Sequence, residues 1–425
     1  MMINAAKIFS TLGNPNSLIP LGVKDASSCL GMTASSFVTG KEEGVDRFID
    51  EFGTEILWLG GIPTYKWLFD KTVFKACGYD SKIDPRTLKD KDVFQKVKEF
   101  APTDKIKQEL EKVEKDSKKF KNLATTKFFL STGLAALTYF TLTRMKQNYT
   151  DKKIRENLIK EYNNKKEKQK AENKEGKPSF KGLGKAIEEF AFSPVKNMYL
   201  MDGFITTERL GDSRSTQEFI GYTIKEGSCL CFLYYAGKKI QQMVENSAKK
   251  KHNKSITLDC RVLENNDFKK SFEDGSIEKS LAAFKANNTS NVKLYEFLHK
   301  NPDNKVVQAA KQSDIIKLFK NSDKIDTRKF IDLEEFKSIN SQIEELYGQY
   351  KDALKKGETS DQFFKTLRKL KRGSIIKNIG ACILALGVIT PGIMLIKRLT
   401  DKSGSEFQTK KEIKEQLIKE GVIEA

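Results

Sequence analysis

The chain has 425 residues and a formal net charge of +19; only 38% of residues are hydrophobic and 31% are charged, so most of its mass belongs in water. Six cysteines make no disulfide framework, and two histidines, His252 and His299, cannot assemble a zinc site of ordinary spacing, so no cofactor or metal is expected. Only 11 of the 76 cationic residues are arginine, which favours general attraction to anionic lipid headgroups over specific nucleic-acid recognition.

Residues 1–40 read as a polar N-terminal segment whose start lacks the continuous apolar core of a signal peptide. The stretch FIDEFGTE (48–55) follows, and then a short apolar segment, 56–69. The run 128–143, FFLSTGLAALTYFTLT, sits between Lys127 and Arg144 and is slightly short for a membrane helix. Its Ser131 and Ala135 are spaced for close helix approach. Residues 150–161, TDKKIRENLIKE, form an amphipathic tail with Ile154, Leu158 and Ile159 on one stripe. The segment 162–185 is a charged linker; within it and just beyond, FKGLGKAIEEF (180–190) lacks the preceding strand and third glycine of a phosphate loop.

The polar stretch 202–218 reads as a loop that gathers Asp202, Glu208, Arg209, Asp212 and Arg214, with Ser215 and Glu218 spaced as a capping box for the next helix. FIGYTIKE (219–226) then leads into a second short apolar segment, 227–237. The region at about 251–370 has moderate apolar content at helical spacing and reads as a soluble helical insertion. Its stretch 321–332 lacks the glycine and final glutamate of a calcium loop. The clearest apolar run is 379–396, IGACILALGVITPGIMLI, with 18 uncharged residues, Ala381 and Ala385 four apart, and basic flanks. Residues 409–420, TKKEIKEQLIKE, close the pattern.

The two tails match at eight of twelve positions, and the two Phe-Ile stretches each place a glutamate seven residues after the phenylalanine, at Glu55 and Glu226. The expected architecture is therefore mostly α: a helical integral membrane protein built from two diverged copies of a membrane unit, 41–161 and 186–425, with the insertion in the second. The short apolar segments are expected as tilted spans or re-entrant hairpins, as interfacial helices, or as soluble core helices. A full span would have to recruit the polar residues before it and bury Glu55 or Glu226, at about 2.5–3.5 kcal/mol each on insertion scales.

These features point to a multi-pass membrane protein, which in a bacterial cell would sit in the cytoplasmic membrane. It acts as a scaffold without catalysis, touching anionic lipid headgroups through its basic faces and other proteins through 238–378. The alternative is a small transporter or channel-like protein in which Glu55 and Glu226 form an ion or polar site. A membrane-bound enzyme is a further alternative, with no Walker loop, GxSxG, HExxH or paired CxxC behind it and no catalytic residue to name.

Overall fold

A computed structural model describes residues 5–14, 17–163, 193–213, 216–400 and 410–423. The chain is mostly helical and has no strand among the described residues, only an isolated antiparallel bridge between Leu318 and Ile325. The linker 164–192, including FKGLGKAIEEF, lies outside the described residues, as do Arg214 and Ser215. The chain divides into two compact units, and each unit draws on both halves of the sequence.

The first unit is a helical domain made from the described parts of 1–15, 67–127 and 239–378. Its short helices start on side-chain caps: Asp90, Thr103, Asp259, Asn265, Ser290, Asn304 and Asp332 each accept from a backbone N–H of the first turn. Phe272, Tyr350, Phe363 and Phe364 form an edge-to-face aromatic cluster in its core. The compact unit that contains 251–370 thus also draws on 67–127 and the N-terminal helix. The amide of Asp84 donates to the Arg328 carbonyl at 2.8 Å, and Arg328 bridges Asp80 and Asp326 at 3.1 and 2.8 Å. Ser10 Oγ donates to Asp259 Oδ1 at 2.9 Å, which ties in the N-terminal helix Ala5–Gly13.

The second unit is a bundle with six long helical segments among its described residues. They come from Leu18–Thr39, the run 41–66, the part of Ser117–Asn163 after 127, Pro194–Gly211, the run 216–238, and the part of the helix Ser360–Lys397 after 378. Each contributes to one apolar cluster: Leu21, Trp58 and Ile62, Ala135 and Tyr139, Met198 and Met201, Cys229 and Leu233, and Leu386. The N-terminal stretch read as polar thus supplies a 22-residue helix, capped by Ser17, whose Lys24 and Asp25 interrupt any apolar run. A Cβ on Gly31 would lie 2.2 Å from the Gly387 carbonyl oxygen, so Leu18–Thr39 meets the 379–396 run backbone to backbone. Ala135 and Ala385 are buried as their spacing predicts; a Cβ on Gly61 would sit 3.5 Å from that of Ala135.

The short apolar segments are neither hairpins nor separate surface helices. Gly60–Gly61–Ile62–Pro63 lies inside the helical run 41–77, and 227–237 lies inside 216–252. Each carries a π-helical turn, Leu57–Gly61 and Cys231–Ala236, and the 379–396 run carries a third, Ala385–Ile389. The two amphipathic tails pack on one another: Leu158, Ile413, Leu417, Val422 and Ile423 are buried together, with Ile154, Ile159 and Ile418 against them.

Among the described residues one helix, Ser360–Lys397, is long and apolar enough to cross a membrane, and 39% of its apolar window is buried. By length and composition alone, multi-pass insertion is not supported. The 128–143 run falls short because Ser131, Thr132, Thr138, Thr141 and Thr143 dilute it. The other bundle helices carry inward-facing charges.

Candidate functional site: a buried ionic core

Helical periodicity builds the site. Arg47, Asp50, Glu51, Thr54 and Glu55 recur at spacings of three and four, so they share one face of the run 41–66. The facing side chains come from Pro194–Gly211 (Arg209), the run 216–238 (Tyr222, Lys225 and Glu226) and Ser117–Asn163 (Tyr139 and Lys146). All of these lie within the bundle.

Arg209 is the hub, with a side chain 1% exposed. Its Nε donates to the Tyr139 hydroxyl at 3.0 Å, its Nη2 to Asp50 Oδ2 at 2.9 Å and Thr54 Oγ1 at 3.0 Å, and its Nη1 to Glu226 Oε1. Lys225 donates to the same Glu226 oxygen at 2.8 Å and pairs with Glu51 Oε2 at 3.0 Å. Arg47 donates to Glu51 Oε1 at 3.1 Å. Lys146 lies 3.2 Å from Asp50 and 3.4 Å from Asp46. The Tyr222 ring stands between two guanidiniums, 5.4 Å from Arg47 and 5.4 Å from Arg209. Four cations, Arg47, Lys146, Arg209 and Lys225, thus meet four acids, Asp46, Asp50, Glu51 and Glu226, all nearly inaccessible to solvent. Such a set is tolerable only because every charge is paired and the guanidinium fork is filled.

Beside this balanced set lie acids that make no ion pair among the described residues. Asp25, Cys29 and Glu55 place one donor atom each within 4.8 Å of one another. Glu55 is 8% exposed, and its Oε2 is enclosed without a hydrogen-bond partner. Asp202 accepts from the Tyr234 hydroxyl, and both carboxylate oxygens of Glu208 are enclosed. A cysteine sulfur with two carboxyl groups is a donor set that suits a borderline divalent cation. The sequence expectation of no metal rested on histidine counting, which cannot register a thiol–carboxylate group assembled from two helices.

The sequence-named residues separate as follows. Glu55 and Glu226 are both buried, as recruitment of the polar residues into one helix requires, but they join different groups. Glu226 pairs with its neighbour Lys225 as an ordinary salt bridge would, yet inside the bundle and not at its surface. The stretch holding Asp202, Glu208 and Arg209 is helical through Gly211 and not a loop, because Ser193 caps that helix and Pro194 opens it. Asp212 lies outside the core and pairs with Arg144 at 3.4 Å. Asp46, Arg47, Asp50, Glu51, Tyr139, Lys146 and Tyr222 were not anticipated; only the 47–50/51–54/55 periodicity could have shown part of the set.

No family model, curated protein or solved structure matches the chain.

Proposed function

We propose that the chain is a multi-pass integral membrane protein formed from two diverged copies of one helical unit, and that its buried ionic core serves passage of a small cation or proton, as in a transporter or channel-like element. The observation that carries this reading is the inverted distribution of the bundle. Among the described residues, every exposed large apolar side chain belongs to the bundle except Ile8, Trp67, Leu68, Met243, Leu354 and Ile376. Buried charge is concentrated there too: Lys24, Asp46, Arg47, Asp50, Glu51, Glu55, Arg209, Lys225 and Glu226. In water both features are unfavourable, since exposed apolar surface forgoes about 25 cal/mol per Å² and buried ions pay desolvation. In lipid the first becomes favourable, and intramembrane ionisable groups face the interior and mark ion paths.

The duplication draws support from matched positions. Phe48 and Phe219 are 48% and 46% exposed, Ile49 and Ile220 both face outward, and Glu55 and Glu226 are both buried. A π-helical turn follows each glutamate, and the two tails share one core. In the transport reading, Asp25, Cys29 and Glu55 hold the cation.

The scaffold reading is second, and one observation favours it: the four-against-four pairing around Arg209 leaves no free charge to move, as a static cross-link would. Purified full-length protein in liposomes separates the two. The transport reading expects uptake of protons or of a divalent cation such as Zn²⁺ that Glu55→Gln abolishes while the unfolding temperature holds. Folded wild-type protein with no flux of protons, alkali cations or Zn²⁺ refutes transport and leaves the scaffold. Recovery in the soluble fraction after detergent-free cell breakage refutes membrane insertion itself.

A further inference from the structure

The helical domain contains a groove of about 1380 Å³ whose lining has seven cationic side chains and only two acidic ones, Glu264 and Asp361. Both acids are already engaged. Glu264 accepts from Arg372 Nε at 2.7 Å, and Asp361 pairs with Lys269. Four lysines, Lys251, Lys365, Lys369 and Lys377, are exposed and have no ion pair or hydrogen bond among the described residues. Arg368 donates from Nε to the Leu263 carbonyl at 2.8 Å, which fixes its plane, while its Nη2 is enclosed without a partner.

The helix Ser360–Leu384 makes this arrangement directional. Lys365, Arg368, Lys369 and Arg372 recur at i, i+3, i+4 and i+7, so they form one stripe along the groove. Lys251 and His252 bring the basic last turn of Gly237–His252 to the same groove. Clustered lysines act as point charges that attract a phosphate oxyanion.

We propose that this groove binds a multiply charged phosphate-bearing ligand. The chemistry is that of a phosphorylated lipid headgroup or of a free polyphosphate such as a nucleotide. Ile376 and Lys377 line the groove only two residues before the apolar run 379–396 of the same helix, where a polybasic stripe meets anionic headgroups. The inference stands on the helical domain and does not depend on transport.

Full-length protein in neutral detergent tests it with two probes. One is sodium tripolyphosphate, titrated by calorimetry; the other is mixed micelles containing phosphatidic acid, whose phosphomonoester can carry two charges, compared with phosphatidylcholine. Each lysine near such a charge is worth about a fivefold change in affinity, so K251Q/K365Q/K369Q/K377Q is expected to lose roughly two orders of magnitude or more. These side chains are exposed, so the unfolding temperature should hold. Tripolyphosphate binding that the quadruple variant loses assigns the free-phosphate source, and phosphatidic acid binding that it loses assigns the lipid source. The proposal is overturned if neither probe binds, if the quadruple variant binds either probe within twofold of wild type, or if poly-glutamate binds as tightly as both.

Discussion

Arg209 is the side chain whose removal should disturb the bundle most. It donates to Tyr139, Glu226, Asp50 and Thr54, and every one of these partners is in or beside the ionic core. Arg209→Met keeps much of the volume but leaves Asp50 and Glu226 with less compensation in a dry interior. Breaking a buried pair from one side costs about 3–5 kcal/mol. At about 2–4 °C per kcal/mol for a domain of this size, the apparent unfolding temperature should fall by roughly 6–20 °C. Arg209→Lys keeps the charge but cannot reach three directions, so it should cost about 1–3 kcal/mol. The decisive variant is R209M/E226Q, which removes an opposite pair. It should be more stable than the two single losses summed, by about 2 kcal/mol or more of coupling. Full-length protein in a mild detergent, unfolded at one fixed scan rate, provides the measurement. Additive single and double variants, or an Arg209→Met shift under 2 °C, would refute a desolvated hub and imply that water reaches the site.

Three further expectations follow from local geometry. His299 stacks on Phe100 at 4.4 Å, and burial, reinforced by the Lys311 charge, pushes its imidazole down to about 4. The unfolded chain takes up that proton near pH 6.5 and the folded chain only near 4, so the helical domain should lose up to about 3 kcal/mol as pH falls through that window; hydrogen exchange of the full chain should show faster opening of 260–350 at pH 4.5, and His299→Phe should flatten the dependence. Gly31→Ala forces a Cβ to within 2.2 Å of the Gly387 carbonyl oxygen and should destabilise the bundle by about 1–3 kcal/mol or more, whereas Gly387→Ala, with 3.0 Å to the Ser27 carbonyl oxygen, should cost less; equal unfolding temperatures would contradict the close crossing. Tyr222→Leu removes a ring face from two guanidiniums and should cost about 2–4 kcal/mol, with Tyr222→Phe losing less because the face remains; thermal unfolding of the two variants side by side checks the order.

The sequence made the helical class, the apolar run 379–396 and the amphipathic tails legible, because each rests on local periodicity or on a run of like residues. The ionic core was only partly legible. Arg209 and Glu226 stood out as polar residues near apolar segments, but nothing local joins Asp50 to a guanidinium 159 positions later. The helix Leu18–Thr39 was hidden for a related reason. Lys24 and Asp25 make its middle read as polar surface, although Lys24 is buried and Asp25 approaches Glu55 and Cys29. Inward-facing charge on a helix with an apolar outer face defeats any rule that equates charge with exposure. The joining of three chain segments in the helical domain was not legible, because it rests on tertiary hydrogen bonds, such as Asp84 to Arg328, that leave no trace in composition.

On the proposed duplication, the two copies are complementary, not identical. Where the first has Asp50 and Glu51, the second has Gly221 and Tyr222; where the first has Thr54, the second has Lys225. The ion pairs follow this division: Arg209 and Lys225 from the second copy reach Asp50 and Glu51 from the first. Tyr222, at the position matching Glu51, meets two arginines with a ring face where a carboxylate would otherwise stand. Two first copies would bring Asp50 and Glu51 together with no Lys225 to offset them, a like-charge arrangement that a low-dielectric interior punishes heavily. Divergence at these positions therefore makes burial of the core possible at all, and it commits each copy to the other. Asp25, Glu55 and Asp202, which make no ion pair among the described residues, lie outside this settlement, so the proposed transport of a cation would use them and not Arg209.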